Sequence, residues 1–312
     1  MPPLRISIVT PSFNQAKFLE QTIRSVLDQS FPAAEYFVMD GGSNDPSLEI
    51  IKKYSDRLSG WVSEKDNGQA EAINKGMLRC SGDIIAWINS DDYYLPGAFQ
   101  QAVKAFEENP ETGLVYGNVL SVDGNGTPIN LQKFPDYNLA DLMCFKIISQ
   151  PAVFMRRFVL EKAGLINPEL HYLLDHQLWL RMAASAPIVH IPFTLAAARY
   201  HADAKNVSQT AGFGIEAFQI ISWMKHDPGL AAIFSKNERK ITGGAHRLNA
   251  YYLVEGGQYK AAITAYWQAF KNAPASIKKD WHRIIYSAFA LLGLKSIRQL
   301  YMKARGRFRR YQ

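Results

Sequence analysis

The residues in this chain best suited to chemistry are the adjacent carboxylates Asp91 and Asp92, which close the apolar run from Asp83 to Asn89. Two like charges held this close repel unless a cation neutralises them. A hard divalent ion would do so, with a diphosphate completing its shell. A plain strand-to-helix turn is the competing account, because Ser90, the two aspartates and Pro96 all favour turns.

Three further polar clusters follow apolar runs in the same way. Pro11, Ser12 and Asn14 end the first run, and Asp40-Gly41-Gly42-Ser43 ends the second. Asp66-Asn67-Gly68-Gln69 follows the third and opens a helical stretch that also carries Asn74. Asp40 can accept a hydrogen bond from a base ring or a ribose hydroxyl, and the glycines after it allow a sharp turn and close approach of a ligand. An ordinary β-turn at Asp40 and a helix cap at Asp66 or Asn67 are the simpler alternatives.

Asp175 precedes an amphipathic segment with Leu178, Trp179 and Met182 on its apolar side. A carboxylate aimed into an apolar-walled cleft can act as a general base, whereas a helix N-cap is the structural alternative. His201 follows an apolar run from Leu195 to Tyr200 and could complete a metal shell or contact phosphate. His171 and His176, on either side of Asp175, are weaker candidates.

The elements that must position these residues alternate. Strand signals over Ile6–Thr10, Tyr36–Met39, Trp61–Ser63 and Asp83–Asn89 are separated by helical spacing over Phe18–Gln29, Pro46–Tyr54 and Gly68–Leu78. A helix starting at Pro96 turns Phe99, Val103 and Phe106 inward. Such a series predicts a mostly parallel α/β sheet flanked by helices, with ligands bound beyond the carboxyl ends of its strands. All four polar clusters fall at those ends. The pattern then changes. Leu114–Val122 and Ile129–Lys133 read as a hairpin, Ala152–Met155 as a strand and Gln177–Ala184 as a helix opening just after Asp175. Ile188–Ile191 and Thr194–Tyr200 read as two more strands. Beyond about residue 210 only helical patterns continue, broken at Pro228, Gly243-Gly244, Gly256-Gly257 and Pro274, with one helix-turn-helix cadence from Gly257 to Pro274. The division expected is a catalytic domain over 1–209 and an α-helical region over 210–312.

A chain of 312 residues, 47% hydrophobic and 20% charged, can bury a substantial core without a disulfide or metal staple. Its two cysteines, Cys80 and Cys144, lack metal-ligand spacing and point to a reducing compartment. No charged leader with an apolar stretch precedes the first strand, which argues against a secretory signal. The run Ile284–Leu294 is too short to span a bilayer. The net charge of +7 is concentrated at the end, where Lys295, Arg298, Lys303, Arg305, Arg307, Arg309 and Arg310 occur with no acid. This segment suits anionic lipid, nucleic acid or solvent alone. The core shows no basic patch interleaved with aromatics, so no nucleic-acid partner is expected. The tail and the apolar run before it suit peripheral contact with a membrane.

Residues 4 to 205 resemble the family 2 glycosyltransferases of the GT-A fold. The likeness is carried, in order, by ISIVTPSFNQAKFLEQTIRSVLDQSFP, VMDGGSND, DNGQAEAINKG, GDIIAWINSDDYYLPGAF, SQPAVFMRR, LLDHQLWLRM and ARYHADAKNVS. The resemblance implies a GT-A fold and an inverting transferase that uses a nucleotide-diphosphate sugar. Its acceptor would be a saccharide or lipid-linked saccharide. The setting implied is bacterial surface polysaccharide synthesis, in the cytoplasm or on the inner face of the membrane. It further implies a nucleotide-sugar site lined by Pro11, Ser12, Asn14, Asp40, Asp66, Gln69, Asn74 and Asp91. Asp91 and Asp92 match the family's Asp-x-Asp region. The metal, Mg2+ or Mn2+, falls to Asp92 with Asp91 and His201, and the catalytic base to Asp175. Asn89 departs from relatives that have Asp there, which leaves open how the pair divides its work. Two rivals are a sugar-1-phosphate nucleotidyltransferase and a catalytically silent nucleotide-sugar-binding module. The first lacks its usual glycine- and basic-rich loop after the first strand. The second is disfavoured by the joint presence of Asp40, Asp91, Asp92, Asp175 and His201.

Overall fold

A computed structural model of the chain describes residues 3–201 and 210–294. It divides into two compact units, residues 1–138 with 148–199, and residues 139–147 with 200–312.

The first unit alternates strand and helix as the periodicity predicts: β1 (Ile6–Ser12), α1 (Ala16–Leu27), β2 (Glu35–Asp40), α2 (Ser47–Lys53), β3 (Gly60–Ser63), α3 (Gln69–Met77) and β4 (Ile84–Trp87). These four strands run parallel in the order β3-β2-β1-β4, so their carboxyl ends share one rim. The remaining elements of this unit are β5 (Tyr93–Tyr94), α4 (Ala98–Glu108), β6 (Leu114–Asp123), β7 (Pro128–Gln132), β8 (Val153–Arg156), α6 (Arg157–Ala163), α7 (Leu174–Ser185) and β9 (Ile188–Tyr200). The short helix α5 (Leu139–Met143) belongs to the second unit. The sheet continues from β4 through β8, β6, β9 and β5, with β7 beside β6. Strand β8 runs antiparallel to both β4 and β6, and β5 antiparallel to β9.

Pro11, expected to end the first strand, lies inside it. The Ile88 N–H donates to Val9 O on one flank of β1, and the Gly41 N–H donates to Ser12 O on the other. The alternation turns Pro11 to the β4 flank, beyond the last register pair Val9↔Trp87, where no N–H is needed. The two strands expected at 188–191 and 194–200 are one, β9, passing through Pro192.

The core of this unit fills the layer between sheet and helices. Ile6, Ile8, Leu19, Ile23, Phe99, Phe106 and Phe154 are fully buried. Each contributes about 1.5–3 kcal/mol on leaving water.

The second unit is helical among its described residues: α5, α8 (Thr210–His226), α9 (Ala231–Glu255), α10 (Tyr259–Asn272) and α11 (Trp281–Leu291). Gly243-Gly244, expected to break a helix, lies within α9. A Cβ on Gly243 would sit 2.7 Å from Ala273 Cβ, and one on Gly244 only 2.2 Å from Cys144 O. These glycines allow close packing and do not end the helix. The helix-turn-helix cadence from Gly257 to Pro274 is instead one continuous helix, α10, which buries Ala262, Ala265, Tyr266 and Ala269. The turn falls before it, at Gly257 with φ of 72°. No described helix is long and apolar enough to cross a membrane.

Candidate active site

The four polar clusters lie at the carboxyl rim of the parallel strands, where the register sets Ser12 beside Asp40 and Asp40 beside Ser63. Asn14 joins the first two. Its backbone N–H donates to Ser43 Oγ at 2.8 Å, and its side-chain oxygen accepts from the Asn44 N–H at 2.8 Å. Asn14 adopts φ of 53°, a left-handed conformation that asparagine tolerates better than most residues. Pro11 and Ser12 are buried beneath this junction.

Asp40 is only 2% exposed. Its Oδ2 accepts from the Gly42 N–H (3.2 Å), the Ser43 N–H (2.9 Å) and Ser63 Oγ (2.7 Å), and its Oδ1 from Ser43 Oγ (2.5 Å). Three of the four donors go to Oδ2 and one to Oδ1, so Asp40 shapes the Gly41–Ser43 loop and ties it to Ser63. Asp45, just before α2, accepts from Ser47 N–H at 3.0 Å and also from Ala16 N–H at 2.8 Å, so it tethers the starts of α1 and α2 together.

Asp66 receives the Gly68 N–H at 2.9 Å. It packs against Gly41, where a Cβ would come within 2.7 Å of Asp66 Oδ2. The N-cap position of α3 is Gly68, with no side-chain cap hydrogen bond. Glu71 Oε2 accepts from the Asn67 N–H at 3.0 Å and from Asn67 Nδ2 at 2.7 Å. Lys75 and then Asn67 lower the Glu71 carboxyl to about 2. Asn74 is occupied at both ends of its amide by the Ile166 backbone, donating at 2.8 Å and accepting at 3.0 Å. That makes it a clamp on the segment before α7. Gln69 donates to Asn89 Oδ1 at 2.7 Å and so links the third cluster to the fourth.

The acidic turn is tightly built. Asp92 N–H donates to Asn89 O at 3.1 Å, and the Thr22 hydroxyl on α1 is shared between Ser90 O (2.9 Å) and Asp92 O (2.6 Å). Arg199, near the end of β9, organises it. Its backbone N–H donates to Asp92 Oδ1 at 2.8 Å and its Nε to Asp91 O at 2.9 Å. One terminal nitrogen reaches Gln21 Oε1 at 2.7 Å and the other Asp123 O at 3.3 Å. The guanidinium also lies 4.6 Å from the Phe18 ring centroid and 5.5 Å from that of Tyr93. Burial, and next the charge of Asp91, push the Asp92 carboxyl well above the usual carboxylate range. The Arg199 N–H, its charge and the Asn89 side chain oppose that rise. Asn89 thus supplies an amide hydrogen bond to Asp92 where a third carboxylate would add repulsion.

Residues Arg199, Thr22 and Gln21 were not singled out from sequence. A signal existed for Arg199: a lone arginine at the end of the apolar strand Leu195-Ala-Ala-Ala can be buried only against acceptors.

Asp175 lies inside the first turn of α7, which starts at Leu174 and not after Asp175. Its Oδ1 accepts from the next residue's N–H at 2.7 Å. The helix starts early because Leu174 and Leu178 bury together with Trp179. Trp179, one turn along the same face as Asp175, stacks on Trp87 with ring centroids 5.2 Å apart. Trp87 ends β4, four residues before Asp91, so the stacked indoles fix α7 against the strand that delivers the acidic turn. His201 follows β9 and falls in the second unit.

Among the described residues no group of three or more His, Cys, Asp or Glu side chains is arranged to hold a metal ion. Asp91 and Asp92 still offer hard oxygen donors, and a divalent cation would offset the cost of burying the Asp92 carboxylate. The pair fits a cation whose other ligands come from a diphosphate and water.

A parallel α/β half with its polar site at the strand ends, extended by antiparallel strands, defines the GT-A class of fold. The structure overlays with TM-score 0.61 on S. aureus TarS 1-349 in complex with UDP-GlcNAc, at 16% identity over 87% of this chain and 92% of that one. It overlays with TM-score 0.63 on the mannosyltransferase PcManGT of Pyrobaculum calidifontis in complex with GDP-Man and Mn2+, at 15% identity over 94% and 87%. The family model for glycosyl transferase family 2 matches residues 7–183, and the chain belongs to that family. Chondroitin synthase of Escherichia coli is 25% identical over 189 residues, 60% of this chain and 27% of that protein. The chain spans about a third to just over half of the first three curated relatives it matches, 34%, 55% and 34% of their lengths.

Proposed function

We propose that the chain transfers a sugar from a nucleotide-diphosphate sugar to a saccharide or lipid-linked saccharide hydroxyl, with inversion at the anomeric carbon. The observation that carries this reading is the buried Arg199–Asp91–Asp92 turn at the rim shared with Asp40, in a family 2 chain. Nucleotide-sugar complexes of the overlaid TarS and PcManGT support the donor class. Chondroitin synthase among the relatives supports a role in polysaccharide synthesis.

In this reading the nucleoside rests on the loops of Pro11, Ser12, Asn14, Asp40 and Asp66, with Gln69 and Asn74 holding the third cluster and the α7 approach. Asp92, with Asp91, would hold Mg2+ or Mn2+, which when bound neutralises charge on the departing diphosphate. Asp175 takes the proton of the acceptor hydroxyl as its oxygen bonds to the anomeric carbon. The bond from that carbon to the diphosphate oxygen breaks, and the nucleoside diphosphate leaves with the electron pair. A single displacement inverts the centre. Trp87 and Trp179 keep α7 and its base fixed relative to the acidic turn. A catalytic region over 1–209 followed by a helical region is the domain division that goes with this proposal.

The test is a donor screen with UDP-, GDP- and dTDP-sugars in the presence of Mn2+, followed by Asp175→Asn and Asp92→Ala. Turnover lost in Asp175→Asn with donor binding retained supports the base. Near-full activity in that variant removes it.

A further inference from the structure

The helical unit holds a cavity of its own. About 740 Å³ is open between α8, α9, the N-terminal part of α10 and the end of α11. That lies within the ~300–1,000 Å³ of small-molecule sites. Local sequence explains the space. The chain reverses at Gly257, whose φ is 72°, and α10 then presents Ala261 and Ala265 to the opening, one turn apart on the same face. Side chains this small leave unfilled the space that Phe218 on α8 and Leu253 on α9 border.

The polar part of the wall is built from groups that both donate and accept. Asn249, Gln258 and Gln268 contribute amides, and none of these three side chains makes a hydrogen bond to the protein among the described residues. The Thr264 hydroxyl donates to Lys260 O at 3.2 Å and keeps its acceptor capacity. Burial holds the His246 pKa below the ordinary 6.5, so this ring is neutral at neutral pH, and it packs edge-to-face on Phe218 with centroids 4.9 Å apart. Among the described residues the wall has no carboxylate and one cation, Lys260. Trp267, three residues after Thr264 on α10 and so its neighbour on the helix surface, is 54% exposed and stacks on Phe270 with centroids 5.7 Å apart. A flat apolar ring therefore stands beside the polar wall. These features select the occupant. A hard divalent cation needs carboxylate oxygens, and a diphosphate would find a single cation. An acyl chain would strip water from the amides without replacing their hydrogen bonds. A pyranose offers hydroxyls that donate and accept around its rim and apolar C–H groups on its faces, which match the amides and the aromatic rings.

We propose that this cavity binds a neutral saccharide. Asn249, Gln258 and Gln268 hydrogen-bond its hydroxyls, and the Phe218 ring packs on a C–H face, with Trp267 as a platform for the adjoining sugar of a longer chain. The inference goes beyond the transferase reading and does not rest on it. Every residue in it belongs to the second unit, and binding is measured without nucleotide donor or metal.

The test uses the full chain with maltotetraose, cellotetraose and chitotetraose as neutral probes and a hyaluronan tetrasaccharide as the acidic one, read by saturation-transfer NMR and calorimetry. The wild type is expected to bind at least one neutral probe with a Kd of about 1 mM or below. Gln258→Ala with Gln268→Ala removes two amides and is expected to weaken that binding about tenfold or more. Ala261→Trp, at an exposed position, fills the opening and is expected to abolish it. Both variants are checked for unchanged helix content. Failure of every neutral probe to bind at about 10 mM overturns the inference. So does binding undiminished in the double alanine variant and in Ala261→Trp. Binding confined to the hyaluronan probe and lost in Lys260→Gln also overturns it, since the cavity would then select an acidic sugar. A wild-type dimer that Ala261→Trp dissociates, without saccharide binding, overturns it in favour of a second copy.

Discussion

Replacing Arg199 by Met keeps much of the volume and removes the guanidinium. Four side-chain hydrogen bonds disappear, to Asp91 O, Gln21 Oε1, Asp123 O and Gly124 O, with the ring contacts to Phe18 and Tyr93. The acceptors left behind are partly buried. Removing one partner of a buried charged network costs about 3–5 kcal/mol, a large share of the ~5–15 kcal/mol that holds a typical domain folded. At about 2–4 °C per kcal/mol for a domain of this size, the melting temperature should fall by roughly 6–20 °C. The backbone N–H of residue 199 still reaches Asp92 Oδ1, so that contact serves as an internal control. Arg199→Lys keeps the charge and the ring contacts but loses the fork, and should fall between wild type and Arg199→Met. Thermal melts and donor titrations by calorimetry read both effects. A melting temperature within about 2 °C of wild type, together with unchanged donor affinity, would refute the view that Arg199 builds the acidic turn.

Gly41→Ala puts a Cβ within 2.7 Å of Asp66 Oδ2 and should displace that loop. Donor KM is expected to rise several-fold with a small change in melting temperature, and an unchanged KM would disconnect Asp66 from the donor. Asn89→Asp replaces the amide that serves Asp92 with a third negative charge, so the variant should melt lower than wild type without Mn2+ and recover most of the difference when the ion is added. Equal melting curves with and without Mn2+ in both proteins would contradict cation binding at the pair. At Glu35, burial pushes the carboxyl upward, but hydrogen bonds from Ser7 and Ser81 outweigh it and lower its pKa below the ordinary 4.5. The resulting stability is present above 4.5 and is lost as the pH falls through the lower folded value. Glu35→Gln should therefore cost about 1–2 kcal/mol near neutral pH in urea melts, and the difference should shrink in acid. A deficit that grows as the pH drops would show the sign to be wrong.

Much of the parallel half was legible because its strands are buried on both faces and its helices on one. The runs Ile6–Val9, Tyr36–Met39 and Ile84–Ile88 need no partner to be recognised. Polar residues after such runs must fall at strand ends, so Asp40, Asp66, Asp91 and Asp92 could be named without knowing which strands are neighbours. Pro11 and the Gly243-Gly244 pair misled for a shared reason. Each is tolerated or required because of what stands beside it: a ladder already ended, or a chain packed within 3 Å of where a Cβ would be. Local propensity carries no information about such neighbours.

The sequence by itself determined the strand–helix alternation and the carboxylates at the rim, because burial writes its period into the residues that are buried. Tertiary structure decided what each carboxylate does. Asp40 spends its oxygens on its own loop, while Asp92 is held by Arg199, 107 positions away. It also decided that Trp179 on α7 stacks on Trp87 at the end of β4. Hydrogen bonds and ring contacts between residues so distant in sequence depend on how the sheet brings β9 and α7 to the acidic turn, and no local pattern encodes that.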